Sequence, residues 1–294
     1  MKVEIKHLIL HNSSGDRITA NVHFVGDFLP APVVVYSHGF LGFKDWGFIP
    51  YVADKFAENG FVFVRFNFSH NGISENPNKI TDYDKLARNT ISKQLEDLTA
   101  VIEYVFSKEF KMLNNGQLFL LGHSAGGGIS IIKAVEDERV KAIALWASVS
   151  TFQRYSRHQI EELEKNGYIF VRVPDSMIQI KIEKIVYDDF VKNQERYDVV
   201  KAISKLKIPI LIIHGSADVI VPLIEAERLK NANPEHTKLV LIPEANHFFN
   251  IKHPMDQPSH QLIKVVEETV LFFKEPTFKN KNLVRDEADK SIIN

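Results

Sequence analysis

The chain has 294 residues, of which 45% are hydrophobic and 25% are charged, and its formal net charge is −1. This length and composition are typical of a soluble globular protein with one substantial core. The near-neutral charge and the lack of a basic cluster argue against nucleic acid or anionic membrane as a partner. The absence of cysteine excludes disulfides, thiol nucleophiles and thiolate metal ligands.

The first sixteen residues of the sequence alternate apolar and polar side chains. This pattern predicts an edge strand and lacks the continuous apolar stretch of a signal peptide. No segment of the sequence reaches the length of a transmembrane helix. We therefore expect a cytoplasmic protein that does not contact a membrane.

Strand-like and helix-like segments alternate along the chain. A strand pair is predicted within residues 3–25, and further strands begin near residues 33, 61, 118, 141, 208 and 238. Helical patterns are found at residues 49–59, 90–106, 224–232 and 259–273. This alternation predicts an α/β fold in which a mostly parallel central sheet carries helices on both faces.

About sixty residues separate the predicted strands at 141–146 and 208–213, far more than one crossover helix requires. Two helical patterns, at 157–166 and 186–193, flank alternating runs at 168–173 and 177–182. These runs predict a hairpin whose turn is Pro174, Asp175 and Ser176.

This pattern divides the chain into three parts. The core comprises residues 1–147 and 204–275, and a polar tail comprises residues 276–294. Residues 148–203, hereafter the insertion, follow the sixth core strand and are predicted to form a cap. The alternative is that the insertion is a structural excursion or the interface of a homodimer, because long loops also serve as interfaces.

The most informative segment is QLFLLGHSAGGGISIIKA at residues 117–134. The apolar run at 118–121 is typical of a parallel strand buried on both faces, and a helical pattern follows it. Between the two, Gly122, Ser124 and Gly126 match a G-x-S-x-G turn, in which the glycines relieve crowding and leave the serine hydroxyl exposed. We predict that Ser124 is a nucleophile; the alternative is a glycine-rich turn with an incidental serine.

A serine hydroxyl needs a base to remove its proton and an acid to orient that base. Asp218 follows the apolar strand at 208–215, and His247 follows the apolar strand at 238–243, where active-site loops gather in parallel sheets. We predict that Asp218 is the acid and His247 the base. Alternatively, Asp218 caps the helix near Pro222. Competing acids and bases elsewhere in the chain are Asp189, Asp198, His214, His253 and His260.

Acyl transfer also needs N–H donors directed at the developing oxyanion. We predict that these are the main-chain N–H groups of Phe40, in the glycine-containing loop after the strand at 33–36, and of Ala125. A plain glycine turn is the alternative for that loop. Trp46, His70 and His123 are candidates for the substrate pocket, and packing is the alternative role.

A metal site is a weaker hypothesis. His38, His123, His214 and His247 are predicted near one rim of the sheet, but no H-E-x-x-H motif or comparable carboxylate spacing is present. We interpret the first three as turn and hydrogen-bond residues. Because the protein supplies every group for the chemistry, we expect neither a metal nor a cofactor.

Four segments carry a resemblance to a known family: HGF at 38–40, GHSAGG at 122–127, HGSADVIVP at 214–222 and ANHFF from residue 245. With them, and with the order Ser, Asp, His, the chain resembles the α/β-hydrolase superfamily from about residue 33 to about residue 273. Within it, the chain looks similar to small intracellular carboxylesterases, including cinnamoyl and feruloyl esterases and serine acylaminoacyl-peptidase-like hydrolases. The resemblance implies an α/β-hydrolase fold with Ser124, Asp218 and His247 as the catalytic triad.

The resemblance implies a serine hydrolase that cleaves a small-molecule carboxylic ester through an acyl-enzyme intermediate, with small or aromatic acyl groups. A peptidase or thioesterase on the same triad, and a non-catalytic binding protein that retains the fold, are the alternatives. The segment NFSHNG at 67–72 departs from the acidic, arginine-rich turn of many relatives, which argues against a narrow substrate assignment. Serine at the turn disfavours dehalogenase and epoxide hydrolase chemistry, for which such relatives use aspartate.

Overall fold

The computed structural model describes residues 2–172 and 179–275 of the chain. Its strands are β1 (Glu4–His11), β2 (Arg17–Phe24), β3 (Ala31–Ser37), β4 (Val62–Phe66), β5 (Asn114–His123), β6 (Val140–Trp146), β7 (Tyr168–Arg172), β8 (Gln179–Glu183), β9 (Ile210–Gly215) and β10 (Thr237–Ile242). Its helices are α1 (Ile49–Glu58), α2 (Tyr83–Leu86), α3 (Ile91–Val105), α4 (Ala125–Glu136), α5 (Arg157–Asn166), α6 (Lys184–Lys192), α7 (Val199–Ile203), α8 (Leu223–Ala232) and α9 (His260–Lys274). The predicted turn at Pro174, Asp175 and Ser176 and the predicted tail at 276–294 lie outside the described residues.

Within the described residues, eight strands form one sheet in the order β1-β2-β4-β3-β5-β6-β9-β10. The pairings from β4 through β10 are parallel. Only the first two described pairings of the sheet, β1 with β2 and β2 with β4, are antiparallel. The prediction of a mostly parallel α/β sheet is therefore confirmed.

Alternate residues of the central strands point into two hydrophobic layers. In β5, Leu118 and Leu120 belong to the layer that includes buried side chains of α3 and α4. Phe119 and Leu121 belong to the layer on the other face, with buried side chains of α1 and α9. Because helices cover both faces of the sheet, the strand has no solvent-facing side, which explains its unbroken apolar run.

The predicted core helices are present, and five described helices begin at capping side chains, which are Asp82 and Asp198 in the short helices α2 and α7 and a threonine or serine in three longer helices. Thr90, Ser156 and Ser259 each accept a hydrogen bond from a backbone N–H in the first turn of α3, α5 and α9. The sequence analysis predicts neither α2 nor α7. These helices are four and five residues long, which is too short to show a helical period in the sequence.

The insertion contains α5, β7, β8, α6 and α7. In its antiparallel β7–β8 pair, Ile169 lies opposite Ile182. Both are buried with Leu163 of α5 and with Leu86 of α2 in a third hydrophobic cluster, and Leu41 packs against it. The insertion therefore packs on the loop that follows β3 and on the segment that precedes α3.

Candidate active site

Ser124 lies at the sharp turn between β5 and α4. Its backbone has φ 57° and ψ −122°, a conformation that L-residues rarely adopt. Its N–H donates to the Trp146 carbonyl oxygen at 2.9 Å, and its own carbonyl oxygen accepts from the N–H groups of Gly127 at 3.0 Å and Val149 at 3.2 Å. These hydrogen bonds hold the strained turn to the end of β6.

Glycines allow the turn to pack closely on its neighbours. A Cβ atom at Gly126 would collide with the carbonyl oxygen of Ser37, and one at Gly122 would collide with the carbonyl oxygen of Gly126. A Cβ atom at Gly39 would lie 2.8 Å from Cβ of Ser124. The loop between β3 and α1 (residues 38–48) therefore passes directly against the serine.

Asp218 and His247 form a buried hydrogen-bonded pair. His247 Nδ1 lies 2.7 Å from Asp218 Oδ2, and Oδ1 of the same carboxylate accepts from the N–H groups of Ile220 and Val221, each at 2.9 Å. Burial would raise the pKa of Asp218, but the hydrogen bond and charge of His247 and the two backbone donors together lower it. The carboxylate is therefore ionised at neutral pH.

The alternative in which Asp218 caps a helix is not observed. The residue that precedes α8 is Pro222, and no side chain caps the helix there. The backbone donors to Asp218 instead belong to the loop between β9 and α8 (residues 216–222). Asp218 thus shapes its own loop while it holds His247.

The loops that carry Asp218 and His247 are joined to each other. Ala217 N–H donates to the Ala245 carbonyl oxygen at 3.0 Å, and Glu244 N–H donates to Ser216 Oγ at 2.9 Å. A Cβ atom at Gly215 would collide with Ala245. The loop between β10 and α9 (residues 243–259) therefore packs on the β9–α8 loop, which fixes the histidine relative to the carboxylate.

His123 connects the base to the nucleophile turn. Its Nε2 donates to the His247 carbonyl oxygen at 2.9 Å, and the centroids of the two imidazole rings are 4.8 Å apart. Because His123 directly precedes Ser124, this contact joins the loop of His247 to the turn of Ser124. His247 Nδ1 is engaged by Asp218, so Nε2 is the ring nitrogen left to accept a proton.

The structure places His123 differently from its prediction as a pocket residue. Its side chain is buried, with a relative exposure of 5%, and its ring packs edge-on against Phe48. Burial, together with the nearby charge of His247, lowers the pKa of His123 to about 3. The ring is therefore neutral at physiological pH and acts as a fixed hydrogen-bond donor.

The two predicted oxyanion donors, Ala125 N–H and Phe40 N–H, belong to two different segments that adjoin Ser124. Ala125 N–H is in the first turn of α4, where backbone N–H groups have no intrahelical acceptor. Phe40 lies in the β3–α1 loop, where Gly42 N–H donates to the Gly39 carbonyl oxygen at 3.0 Å and Leu41 has φ 60°. In the described part of the chain, no backbone carbonyl accepts from Phe40 N–H.

The other two pocket candidates lie in different surroundings. The Trp46 ring is 4.7 Å from that of Phe248, the residue after His247, and so lies beside the β10–α9 loop. His70 is buried at the other side of the site, where its Nδ1 is 2.9 Å from Ser69 Oγ and 3.9 Å from Asp16. Burial first, and the charge of Lys93 next, lower the pKa of His70.

Three buried histidines hydrogen-bond to backbone carbonyl oxygens of the loops around Ser124. His38 Nδ1 bonds to Gly39, His123 Nε2 to His247, and His214 Nε2 to Val221, at 2.9, 2.9 and 2.8 Å. These contacts agree with the interpretation of the three side chains as turn and hydrogen-bond residues. Among residues 2–172 and 179–275, no cluster of three His, Cys, Asp or Glu side chains is arranged to hold a metal ion.

The sequence analysis missed a buried carboxylate near the start of the insertion. Glu225, in the first turn of α8, accepts from Ser150 N–H at 2.7 Å and from Arg154 Nη1 at 2.9 Å. It ties the first residues of the insertion to the helix that follows Asp218. A lone glutamate in a surface-like helix pattern gives no signal of this contact.

Over the described ranges, we find no helix with both the length and the apolar character needed to cross a bilayer.

Comparison with known proteins places the chain in a large structural class. A family model described as the alpha/beta hydrolase fold matches residues 32–188, more than half of the chain. A 31.7 kDa protein from the traX-finO intergenic region of Escherichia coli is 23% identical over 238 residues, which cover 70% of this chain and 79% of that protein.

Solved structures resemble the chain over most of its length. Est1E from Butyrivibrio proteoclasticus with bound ferulic acid has a TM-score of 0.69 at 20% identity, covering 90% of this chain and 97% of that one. Dienelactone hydrolase from Anabaena variabilis has a TM-score of 0.60 at 15% identity, covering 93% and 98%. At these identities, the likeness establishes the fold.

Proposed function

Because the chain belongs to the α/β-hydrolase family, we propose that it is a serine hydrolase that cleaves carboxylic esters through an acyl-enzyme intermediate. The observation that carries the proposal is the buried hydrogen bond of 2.7 Å between Asp218 and His247. His123, the residue before Ser124, donates to the His247 carbonyl oxygen and so attaches this pair to the turn of Ser124. A serine, an imidazole and an ionised carboxylate at one edge of a parallel sheet suit nucleophilic acyl transfer.

In the proposed first half-reaction, Ser124 Oγ attacks the ester carbonyl carbon and passes its proton to His247 Nε2. Asp218 stabilises the imidazolium that forms, and the oxyanion accepts hydrogen bonds from the N–H groups of Phe40 and Ala125. His247 then donates the proton to the alcohol oxygen, the carbon–oxygen bond breaks, and the alcohol leaves.

In the second half-reaction, His247 removes a proton from water, and the resulting hydroxide attacks the acyl-enzyme carbonyl. Collapse of this second tetrahedral intermediate returns the proton to Ser124 Oγ and releases the acid. The N-terminal end of α4 lies beside the serine, so the helix dipole also favours the oxyanion. Apart from the substrate and water, these steps use only groups of the protein.

We propose small or aromatic acyl esters as substrates because aromatic side chains flank the proposed base and oxyanion donor. Phe248 follows His247 directly, and its ring contacts both the His247 ring at 4.9 Å and the Trp46 ring at 4.7 Å. Phe40 carries one of the proposed donors and is 50% exposed. Est1E, which resembles this chain in fold, has been solved with ferulic acid, an aromatic acid.

We also propose that the insertion acts as a cap that restricts access to Ser124. Its hydrophobic cluster packs on Leu41, the residue after Phe40. At its other end, the ion pair between Arg154 and Glu225 attaches the insertion next to the loop of Asp218. The insertion thus contacts both the loop that carries Phe40 and the helix that follows the loop of Asp218.

The nucleophile is tested with a fluorophosphonate probe. We expect the wild type to be labelled and Ser124→Ala to remain unlabelled, with hydrolysis of short p-nitrophenyl esters reduced about a millionfold in the variant. Equal labelling of both proteins would show that Ser124 is not the nucleophile. Unlabelled wild type that retains its fold by circular dichroism would favour a binding protein.

The substrate class is tested separately with matched panels. We compare kcat/KM for short p-nitrophenyl esters, aminoacyl anilides and acyl-CoA thioesters on the purified wild type. The proposal expects the esters to have the highest values. A preference for anilides or for thioesters would reassign the same triad to a peptidase or to a thioesterase.

A further inference from the structure

The contacts of His38 determine which of its ring nitrogens carries the hydrogen. Nε2 lies 3.3 Å from Phe68 N and 3.3 Å from Asn71 Nδ2. Both of these atoms are donors, so Nε2 is the acceptor and Nδ1 carries the hydrogen. Nδ1 then donates to the Gly39 carbonyl oxygen at 2.9 Å. The Asn71 amide has its orientation fixed because its Oδ1 accepts from Ile73 N–H at 3.1 Å.

The acceptor of this hydrogen bond belongs to the same peptide unit as Phe40 N–H. In a trans peptide, the C=O and the N–H point in opposite directions. Two donors, His38 Nδ1 and Gly42 N–H, hold the Gly39 carbonyl oxygen, which points to one side of the planar peptide unit. They therefore hold Phe40 N–H on the other side, next to a glycine that lies against Ser124.

The ring of His38 is suited to this task because it is buried and does not titrate near neutrality. Its exposure is 3%, and Phe68 packs edge-on against it with a centroid distance of 4.8 Å. Burial lowers the pKa of His38 to about 4, although the hydrogen bond to Gly39 opposes this shift. The neutral ring keeps one donor and one acceptor at all pH values well above 4.

We propose that His38 is a positioning residue that orients the Gly39–Phe40 peptide so that Phe40 N–H faces the oxyanion. The inference rests on the proposed function, because Phe40 N–H has this role only if Ser124 is acylated. It assigns His38 to stabilisation of the transition state and not to substrate binding or proton transfer.

Two substitutions separate the Nδ1 donor from the rest of the ring. In His38→Asn, the amide nitrogen reaches approximately the position of Nδ1 and can still donate to Gly39. In His38→Gln, the amide reaches approximately the position of Nε2, and the donor to Gly39 is lost. We expect His38→Gln to lower kcat about tenfold to a hundredfold with KM unchanged, somewhat less than complete loss of an oxyanion donor, and His38→Asn to retain most of the turnover.

An inhibitor that forms a tetrahedral adduct with Ser124 provides a measurement that does not depend on the fraction of correctly folded protein. Ser124 Oγ adds reversibly to the carbonyl carbon of a trifluoromethyl ketone and passes its proton to His247. The C=O π bond breaks, and the ketone oxygen becomes an oxyanion where the transition state has one. For His38→Gln, we expect its Ki to rise by the same factor by which kcat/KM falls. Active sites are counted by fluorophosphonate labelling, so that inactive protein does not enter the comparison.

The outcomes distinguish this inference from the proposed function. If wild type is not labelled by the fluorophosphonate, the proposed function fails and the inference fails with it. If wild type is labelled but His38→Gln has the wild-type kcat and Ki, only the inference is overturned. Equal losses in His38→Asn and His38→Gln would also overturn it, because the Nδ1 donor would not be the cause.

Discussion

The core and the insertion hold their residues in different ways. In the core, the proposed site is fixed by backbone hydrogen bonds between loops, such as Ser124 N–H to Trp146 and Ala217 N–H to Ala245, and by glycines that admit no side chain. The insertion is attached mainly through side chains: a small hydrophobic cluster, α7 side chains such as Val199 and Ile203 in the main core, and polar pairs such as Ser92 with Asp189 and Arg154 with Glu225. Arg154 is 40% exposed, and such ion pairs add little stability.

This difference suits the separate tasks that we propose for the two regions. A group that takes part in bond making must be held within a fraction of an ångström, and the core supplies this precision. A segment that admits substrate needs weaker attachment, because it must yield locally. Substitutions in the core should therefore change the reactivity of Ser124, whereas substitutions in the insertion should change local stability and access.

The largest of these effects is expected for Asp218→Asn in the core. An amide at this position favours the wrong imidazole tautomer and cannot stabilise the imidazolium, so kcat should fall about ten-thousandfold with little change in KM. Steady-state kinetics with a short p-nitrophenyl ester measures this loss. A fall of less than about tenfold would show that Asp218 does not act as the acid.

Asp218→Asn also allows the pH dependence of the free energy of unfolding to be compared with that of the wild type. The folded pKa of Asp218 is lowered by its hydrogen bonds and by His247 despite burial. Ionised Asp218 therefore contributes to stability above the unfolded pKa of about 3.9, and this contribution is lost as the pH falls below that value. The stability difference between wild type and Asp218→Asn in urea should shrink between pH 7 and pH 3.

A smaller effect is expected at His123, which positions the base. His123→Gln can keep a donor near the position of Nε2 for the His247 carbonyl oxygen, whereas His123→Asn cannot reach it. We expect fluorophosphonate to label His123→Asn about tenfold to a hundredfold more slowly than wild type, with substantial recovery in His123→Gln. Identical labelling rates for the two variants would show that the hydrogen bond does not position His247.

The smallest effect on reactivity is expected in the insertion. Ile182→Ala removes a buried side chain from its cluster and should cost about 2–5 kcal/mol of local stability. Ile185 is 51% exposed, so Ile185→Ala is a matched control that should change stability by less than about 0.5 kcal/mol. Hydrogen exchange in α5 and β7 measures the local loss.

Ile182→Ala and Ile185→Ala also test whether the core and the insertion have separate roles. Labelling of Ser124 by a small fluorophosphonate should change less in Ile182→Ala than in His123→Asn, because the core hydrogen bonds are intact. If Ile182→Ala slows labelling as strongly as His123→Asn, the contact at Leu41 transmits the disturbance to Phe40. The proposed division between core and insertion would then be wrong.

The sequence predicts the fold well because the central strands are buried on both faces. Helices cover each face of β5 and β9, so each strand contains an unbroken apolar run, at 118–121 and at 210–213. Ser124, Asp218 and His247 each follow such a run. Parallel strands end at one edge of the sheet, which is why their common location could be inferred without coordinates.

The hydrogen bonds that orient these residues were not predictable in detail. The bond between His123 and the His247 carbonyl oxygen joins residues 124 positions apart, and no local pattern in the sequence records it. The tautomer of His38 depends on donors from Phe68 and Asn71, which come from another loop. A sequence motif indicates which residue types are present. The packing of loops that are distant in sequence determines which of their atoms form hydrogen bonds.

The glycine at position 126 limits how proteins with this turn can diverge. Any larger residue there would push its first side-chain carbon into the carbonyl oxygen of Ser37. A lineage that keeps this architecture thus has almost no mutational freedom at the turn itself. We expect substitutions that change substrate preference at positions with exposed side chains, such as Phe170 and Ile185 in the insertion.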